Sequence, residues 1–454
     1  MSKKIPKHIF RAYDIRGIYK KDIDCYTFYK IGLSTGTYVK KQMNGTNIAL
    51  GNDIRNSSIP LAYSFISGLT ASGINVSYTG TTSFGQTLYK GWELKKNLIA
   101  FITASHLPPE WNGIKFYYSD GVGFPEEKLR RIRDITLNKE YMLEEWDKIG
   151  KVERINPESS YTNYFKNNFN YKNNMKVAVD CGGASMTLSA PKIFRTLGIN
   201  LISVYCKPDP SFSKRPSDPK PKNLTKLKKT VTEKNCAFGV GFDGDGDRSV
   251  IVDDTGKILT SDETGIIIAK HGLEKKEGTI VANVECSKAI DEQLKPLGYK
   301  IKRIPVGHTF LTLHAKKEKA PLGIESSGHI ILPEYFLFDD ALIVPLKIAE
   351  ILDNKKQSLS NLLKEIPSYP ITKLEVKCSE EKKFKTIEKL IEKLKIEYQE
   401  VNTLDGIRIK LDKGWVLIRA SNTSPLIRIT SEADTKKIAD EIAEEFRKKT
   451  EKMI

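Results

Sequence analysis

Three stretches of the chain share one order of apolar and polar positions. They are NIALGNDIRNSSIPLAYSFISGLTASGINVSY (Asn47–Tyr78), MKVAVDCGGASMTLSAPKIFRTLGINLISVY (Met175–Tyr205) and TIVANVECSKAIDEQLKPLGYKIKRI (Thr279–Ile304). Each opens with a short apolar run, crosses a loop carrying Asp or Asn and Ser, and continues with amphipathic helical spacing. Each then reaches Gly-Ile-Asn or Gly-Tyr-Lys before a second apolar run. Glycine there suits a left-handed helix C-terminus. Strand–helix–strand units with short connections favour parallel strands. The starts lie too far apart for a solenoid, so the pattern predicts three separate α/β domains of one kind.

The tail reads differently. After IPSYP come an alternating strand (ITKLEVKC), a long Lys/Glu helix, two or three strands within 406–431 and a last helix over 435–452. That order predicts an α+β domain on an antiparallel sheet. The segment KPDPSFSKRPSDPKPKN reads as an extended loop. The chain divides by this reading at 1–150, 151–253, 254–367 and 368–454.

Composition narrows the function classes. No run approaches the roughly 18 apolar residues of a membrane helix. The basic start MSKKIPKHIFRAYDIRG has no apolar core, so no signal peptide is expected. Six scattered cysteines, with no Cys-x-x-Cys pair, disfavour a disulfide framework or a zinc site and point to a cytoplasmic protein. The formal charge of +17 suits anionic partners. The lysines, however, are dispersed among glutamates along helices, without the aromatic interleaving of a nucleic-acid groove. That pattern reads as a Lys/Glu-rich solvated surface, and neither nucleic acid nor membrane is expected as a partner.

Four loops carry candidate chemistry. The apolar run ending at Phe101 delivers the chain to Thr103-Ala104-Ser105-His106. Ligands collect beyond the carboxyl ends of strands in α/β sheets, and a serine there can act as nucleophile or phosphoryl carrier. The flanking residues lack the Gly-x-Ser-x-Gly of a hydrolase elbow. In GVGFDGDGDRSVIVDD, three aspartates alternate with two glycines. Carboxylates this dense repel one another, and a hard divalent cation offsets that repulsion. An EF-hand would need Gly and Glu where Arg248 and Asp254 stand. Asp243, Asp245 and Asp247 beside Arg248 therefore point to Mg²⁺.

In PLGIESSGHIIL, an extended backbone would turn Glu325, Ser327 and His329 to one face, a set suited to sugar hydroxyls and proton transfer. His308 lies upstream in a second Gly loop. In WVLIRASNTSPLIRIT, two strands flank Arg419-Ala420-Ser421-Asn422-Thr423, and Arg428 follows. Arginine forks, hydroxyls and backbone N–H groups can together cradle a phosphate.

In this order, from FRAYDIRG (Phe10–Gly17) to the Arg-x-Ser-x-Thr-x-Pro-x-x-Arg run (Arg419–Arg428), these motifs resemble the α-D-phosphohexomutase family in its phosphomannomutase/phosphoglucomutase branch. The resemblance covers essentially the whole chain. It implies three similar mixed-sheet α/β domains plus a C-terminal α+β domain around a central cleft. It implies that Ser105 is carried as phosphoserine, with Asp243, Asp245 and Asp247 holding Mg²⁺ together with an oxygen of that phosphate. Arg16 and Arg248 would lie by the phosphoserine. Lys115 and His329 match proton-transfer positions, and Glu325 and Ser327 match contacts to sugar hydroxyls. Arg419, Ser421, Asn422, Thr423 and Arg428 match the cradle for the distal phosphate, and Tyr13 and His308 match cleft-lining positions.

The implied reaction is interconversion of hexose 1- and 6-phosphates through a hexose 1,6-bisphosphate, by a monomer or homo-oligomer. The cradle and the Glu-Ser-Ser-Gly-His loop lean towards mannose and glucose phosphates. Phosphoglucosamine mutase is the neighbouring alternative, and a non-catalytic binder of sugar phosphates or nucleic acid is the alternative of another class. The chain departs from the family pattern at Leu107, where Asn is common, at Ile324, where Gly is usual, and at Glu285, where bacterial relatives carry Lys. The loop Gly80–Gly85 also lacks the frequent Thr-Pro. These departures bear on the sugar rather than on phosphoryl transfer.

Overall fold

The computed structural model describes residues 4–421 and 424–454. Its first three sheets repeat one four-stranded unit. In the first, Trp111–Tyr118, Leu98–Ile102, Asn47–Asn52 and Asn75–Thr81 lie side by side. In the second, the order is Ser249–Asp253, Phe238–Phe242, Lys176–Asp180 and Asn200–Val204. In the third it is Ile330–Ile331, Gly323–Ile324, Thr279–Asn283 and Lys300–Ile304. Each unit has three parallel strands and one antiparallel strand at the same edge. The repeated stretches of sequence supply the two strands furthest from that hairpin. The antiparallel strand carries no mark in the repeat, because a hairpin return needs no helix and leaves no helical spacing.

The sequence glycines that close each unit's helix adopt the left-handed backbone expected of them: Gly73 at φ +78°, Gly198 at +76° and Gly298 at +99°. The first sheet has two further strands. Asp14–Ile18 pairs antiparallel with Trp111–Tyr118, and Val152–Arg154 pairs parallel with Asn75–Thr81 at the other edge. The fourth sheet is wholly antiparallel, in the order Ile371–Lys377, Leu426–Ala433, Gly414–Ala420, Ile407–Leu411, Val401–Asn402. Helices Glu380–Glu397 and Lys436–Glu451 cover it.

The core follows a different division from the sheets. One apolar cluster runs unbroken through the first three units and includes Phe84 and Phe101, Phe194 and Phe242, Ile266 and Leu346. Burying each such side chain contributes on the order of 2 kcal/mol, so these units are held to one another by the same packing that holds each together. The fourth unit has its own core around Leu390, Ile418 and Phe446. It meets the third through a small apolar contact of Trp415 and Leu417 with Val284 and Val306. Among the described residues no helix is long and apolar enough to cross a membrane.

Candidate active site

The repeated unit explains where the chemistry lies. Its antiparallel edge pair is joined by a hairpin loop, and in all three units that loop holds the motif singled out from sequence. Residues 103–110 carry Ser105, 243–248 carry the aspartates, and 325–329 carry Glu325, Ser327 and His329. In the fourth unit the corresponding element is the hairpin loop after Ala420. Asn422 and Thr423 in that loop lie outside the described residues. Ser421, Arg419 and Arg428 lie within them.

Ser105 is only 2% exposed and has a left-handed backbone, φ +51°. A non-glycine residue holds that conformation only where its surroundings over-determine it. Here they do. The Ser105 N–H donates to Thr103 Oγ1 at 2.8 Å. Arg55 spends all five donors beneath the loop: on Asp53 at 2.9 Å and on the carbonyls of Ser105, Leu107, Pro108 and Trp111 at 2.5–3.1 Å. Trp111-Asn112-Gly113 is the start of the returning strand, with Asn112 and Gly113 buried. On the other side, Gly244 comes so close that a Cβ there would lie 2.1 Å from the Ser105 carbonyl oxygen. Only glycine permits that approach.

The Ser105 hydroxyl donates to Asp243 Oδ2 at 3.0 Å and accepts from Arg248 Nη2 at 3.3 Å. Arg248 also reaches Asp243 Oδ2 through Nε at 3.1 Å and Nη2 at 3.0 Å. Lys115 bonds Asp245 Oδ2 at 2.9 Å and also pairs with Asp247. Burial works against its charge, but those two carboxylates outweigh burial and raise the ammonium above its ordinary range. Burial, reinforced by Asp247, raises Asp243. Beneath this loop Arg215 acts as Arg55 does beneath the other. Its guanidinium joins Asp180 at 3.1 Å to the carbonyl of Phe242 at 2.6 Å.

The residues fit a divalent cation. Asp243, Asp245 and Asp247 are buried, and each offers an oxygen within 4.8 Å of the others. Asp245 Oδ1 and Asp247 Oδ1 have no hydrogen-bond partner among the described residues. Buried lone pairs without a donor are costly, and an all-oxygen set suits a hard cation.

A cleft of about 700 Å³ opens above this floor and is lined by all four units. Arg16, Ser105, Lys115 and Arg248 face it from the first two. Tyr13 bridges to the third unit, donating to the Val306 carbonyl at 2.8 Å. The loop 325–329 is a tight turn rather than the extended segment read from sequence, since Glu325 N donates to the His329 carbonyl at 2.8 Å. Its three side chains still line the cleft. Glu325 accepts from Gly307 N at 2.9 Å and Ser327 Oγ at 2.6 Å. His329 pairs with buried Asp339 at 2.6 Å. Burial opposes its protonation, but Asp247 and Asp339 push it up to about 9. His308 stacks between Tyr117 and His329, and burial pushes it down to about 3.

At the far end, Arg419 and Arg428 stand directly opposite each other on neighbouring strands. Like charges so placed are unfavourable unless an anion lies between or beside them. Glu285 takes part of that role, accepting from Arg419 Nε at 2.8 Å and from Ser326 Oγ at 3.1 Å, with Lys373 at 3.9 Å. Burial opposes the Glu285 charge, yet Arg419 and Lys373 hold its carboxyl below the usual range. Buried Lys383 ties the loop from behind through the carbonyls of Ser421 at 2.5 Å and Ser424 at 3.1 Å.

Four family models match the chain in order. They are the phosphoglucomutase/phosphomannomutase alpha/beta/alpha domains I, II and III, over residues 7–142, 159–256 and 260–369, and the C-terminal domain over 374–449. The chain belongs to the phosphoglucomutase/phosphomannomutase family. It is thus a phosphohexomutase, an enzyme of the intramolecular phosphotransferase class. It is 34% identical to a protein of Methanopyrus kandleri named "Probable phosphoglucosamine mutase", over 92% of this chain and 93% of that one. A protein of the same name from Pyrococcus horikoshii is 31% identical, over 98% and 97%. The crystal structure of a phosphoglucomutase/phosphomannomutase family protein from Burkholderia thailandensis superposes with a TM-score of 0.90 at 25% identity, over 99% of this chain and 98% of that one.

Sequence reasoning missed Arg55, Arg215, Lys383 and Asp339. Only the Asp53-Ile54-Arg55 pair offered a signal, a charged couple at the carboxyl end of an apolar strand.

Proposed function

We propose that the enzyme interconverts hexose 1- and 6-phosphates by carrying a phosphoryl group on Ser105. The observation that supports this most is the Ser105 hydroxyl, 3.0 Å from Asp243 and 3.3 Å from Arg248, at the base of a cleft whose far wall presents paired arginines. In the first half-reaction the bond from phosphorus to Ser105 Oγ breaks and a bond to the free sugar hydroxyl forms, giving a 1,6-bisphosphate. Lys115 and His329, both held protonated, are the proton carriers: one of them gives its proton to the departing Ser105 Oγ and is restored by the proton of the attacking sugar hydroxyl. In the second half-reaction the other phosphate returns to Ser105. Arg248 and Arg16 offset the phosphoryl charge. Arg419, Ser421, Asn422, Thr423 and Arg428 hold whichever phosphate is distal, and Glu325 and Ser327 take sugar hydroxyls. A cation on Asp243, Asp245 and Asp247, with Mg²⁺ the best match to the donor set, would neutralise phosphoryl oxygens.

A second reading concerns the sugar. Glu285, at a position where the family resemblance implies lysine, puts a carboxylate on the cleft wall. A 2-ammonium sugar complements it, and the archaeal relatives bear the phosphoglucosamine mutase name. This supports glucosamine phosphate over the mannose and glucose phosphates favoured by the motifs alone. A cytoplasmic site of action belongs to the same proposal.

The test is direct. Incubation with glucose 1,6-bisphosphate should add one phosphate to Ser105, read by peptide mass spectrometry. Isomerisation of glucosamine, mannose and glucose 1-phosphates then ranks the sugars by kcat/KM. EDTA should stop turnover and Mg²⁺ restore it. Turnover with no phosphate on Ser105 would sink the mechanism.

A further inference from the structure

Outside the cleft, two thiols of the second unit face each other. Cys181 Sγ and Cys206 Sγ are 3.0 Å apart, closer than two unbonded sulfurs pack by dispersion alone. We propose that Cys181 and Cys206 form a reversible disulfide, a covalent modification site beneath the aspartate loop.

The backbone holds the pair in place. Cys181 follows strand Lys176–Asp180 and Cys206 lies just past the end of its parallel neighbour Asn200–Val204. Cys181 N donates to the Val204 carbonyl at 3.2 Å, and Gly183 N to the Tyr205 carbonyl at 2.7 Å. Tyr205 sits at φ +47°, a left-handed turn that brings Cys206 back over the strand ends. Cys206 Sγ then lies 3.2 Å from the Val179 carbonyl. The two sulfurs are thus held face to face at adjacent strand ends.

Access is one-sided. Cys181 is fully buried, whereas Cys206 lines an open cavity of about 920 Å³ with Arg195, Lys207 and Lys214 on its wall. A small anionic disulfide can enter there and meet positive charge. The Cys181 hydrogen bond outweighs burial and draws the Cys206 thiol below its usual range, while burial pushes Cys181 well above. Cys206 is therefore the attacking thiol. Its thiolate attacks one sulfur of the small disulfide, and the first small thiolate leaves and takes up a proton. Cys181 then attacks Cys206 Sγ, the Cys206–small-thiol bond breaks, and the Cys181 proton passes to the departing thiolate, which leaves through the cavity as the second small thiol. Two electrons pass from the cysteines to the small disulfide, which becomes two thiols.

The staple would touch the catalytic floor at one remove. Ser185 N, in the turn that Cys181 begins, donates to the Gly244 carbonyl at 3.2 Å, and neighbouring Asp180 holds Arg215. A bond within the cysteine pair fixes the turn that supports the aspartate loop. Such use of a cysteine pair in a reducing compartment is regulatory rather than architectural.

The reduced full-length enzyme, treated with oxidised glutathione and then alkylated under denaturing conditions, should protect two of its six cysteines. Peptide mapping should show Cys181 linked to Cys206. Cys181→Ser should stall with glutathione on Cys206, and Cys206→Ser should take none at Cys181. Full alkylation of both residues in the wild type, or a glutathione adduct on Cys206 with no link to Cys181, would overturn the proposal.

Discussion

At the Ser105 end of the cleft, the loops that carry the hydroxyl and the aspartates are each gripped from behind. At the Arg419 end, the groups meet across a domain boundary and grip one another. Ser105, Asp243, Asp245 and Asp247 are buried, lie between units that share one core, and rest on the Arg55 and Arg215 clamps. Arg428 and Lys373 are substantially exposed, and Arg419 is steadied by Glu285 of a unit joined to its own by a small apolar contact. The difference suits the two tasks proposed for the ends. Phosphoryl transfer on Ser105 would gain most from groups already in place when charge develops. A cradle that had to accept either phosphate of a turning intermediate would gain from reading only phosphate.

The sharpest break in that comparison is Ser105→Ala. It leaves the aspartates and the paired arginines in place and removes the one oxygen proposed to carry the phosphoryl group. Turnover should fall by at least about 1,000-fold, as for removal of a nucleophile, with the thermal midpoint nearly unchanged. Residual turnover within tenfold of wild type would show that the rigid end carries no phosphoryl group.

Next comes Arg55→Met, which touches no substrate. It frees three loop carbonyls and that of Trp111, and leaves Asp53 buried without its cationic partner, a loss of about 3–5 kcal/mol in stability. A loop displaced by about 1 Å costs roughly 100-fold in rate. The expected signature is a lower thermal midpoint and a lower kcat with little change in KM. A change in KM alone would mean that the clamp serves binding.

At the other end, Arg419→Met should do the opposite. It removes a charged donor worth about 1.5–3 kcal/mol, so KM should rise by roughly ten- to a hundredfold while kcat holds. Glu285 loses its nearest cation at the same time, so part of the effect on stability belongs to that carboxylate. Equal losses in kcat would place Arg419 in the transition state and erase the contrast between the two ends.

What the sequence disclosed follows the same division. The loops that face the cleft are legible because their chemistry is dense: Asp243, Asp245 and Asp247 within five residues, or Glu325 to His329 within another five. The strand–helix–strand units are legible because helical spacing is. The clamps are not. Arg55 meets carbonyls about 50 residues away, Arg215 lies in a Pro/Lys-rich segment that reads as an extended loop, and Lys383 is one lysine among many on a Lys/Glu helix. Each is an isolated charge until the fold supplies its partners. The shared core of the first three units was hidden for the same reason, since apolar periodicity tells which face is buried but not against what.

The smallest expected effect concerns the imidazole between the two ends. Asp339 is buried, takes the Tyr117 hydroxyl at 3.1 Å and pairs with His329. Burial opposes its charge, but His329 keeps its carboxyl well below the usual range. His329 in turn stands near 9 rather than the ordinary 6.5. A group raised in this way supplies stability that is complete below about 6.5 and disappears as pH climbs through 9. As a proton donor it should give kcat an alkaline limb near pH 9. Asp339→Asn keeps the shape and removes the charge. Asp247 still favours the imidazolium, so the limb should move towards neutrality by about one unit without vanishing. At pH 7 the rate should fall less than tenfold. A pH–rate profile identical in both proteins would show that His329 does not carry the proton, and would leave Lys115 as the carrier at the rigid end.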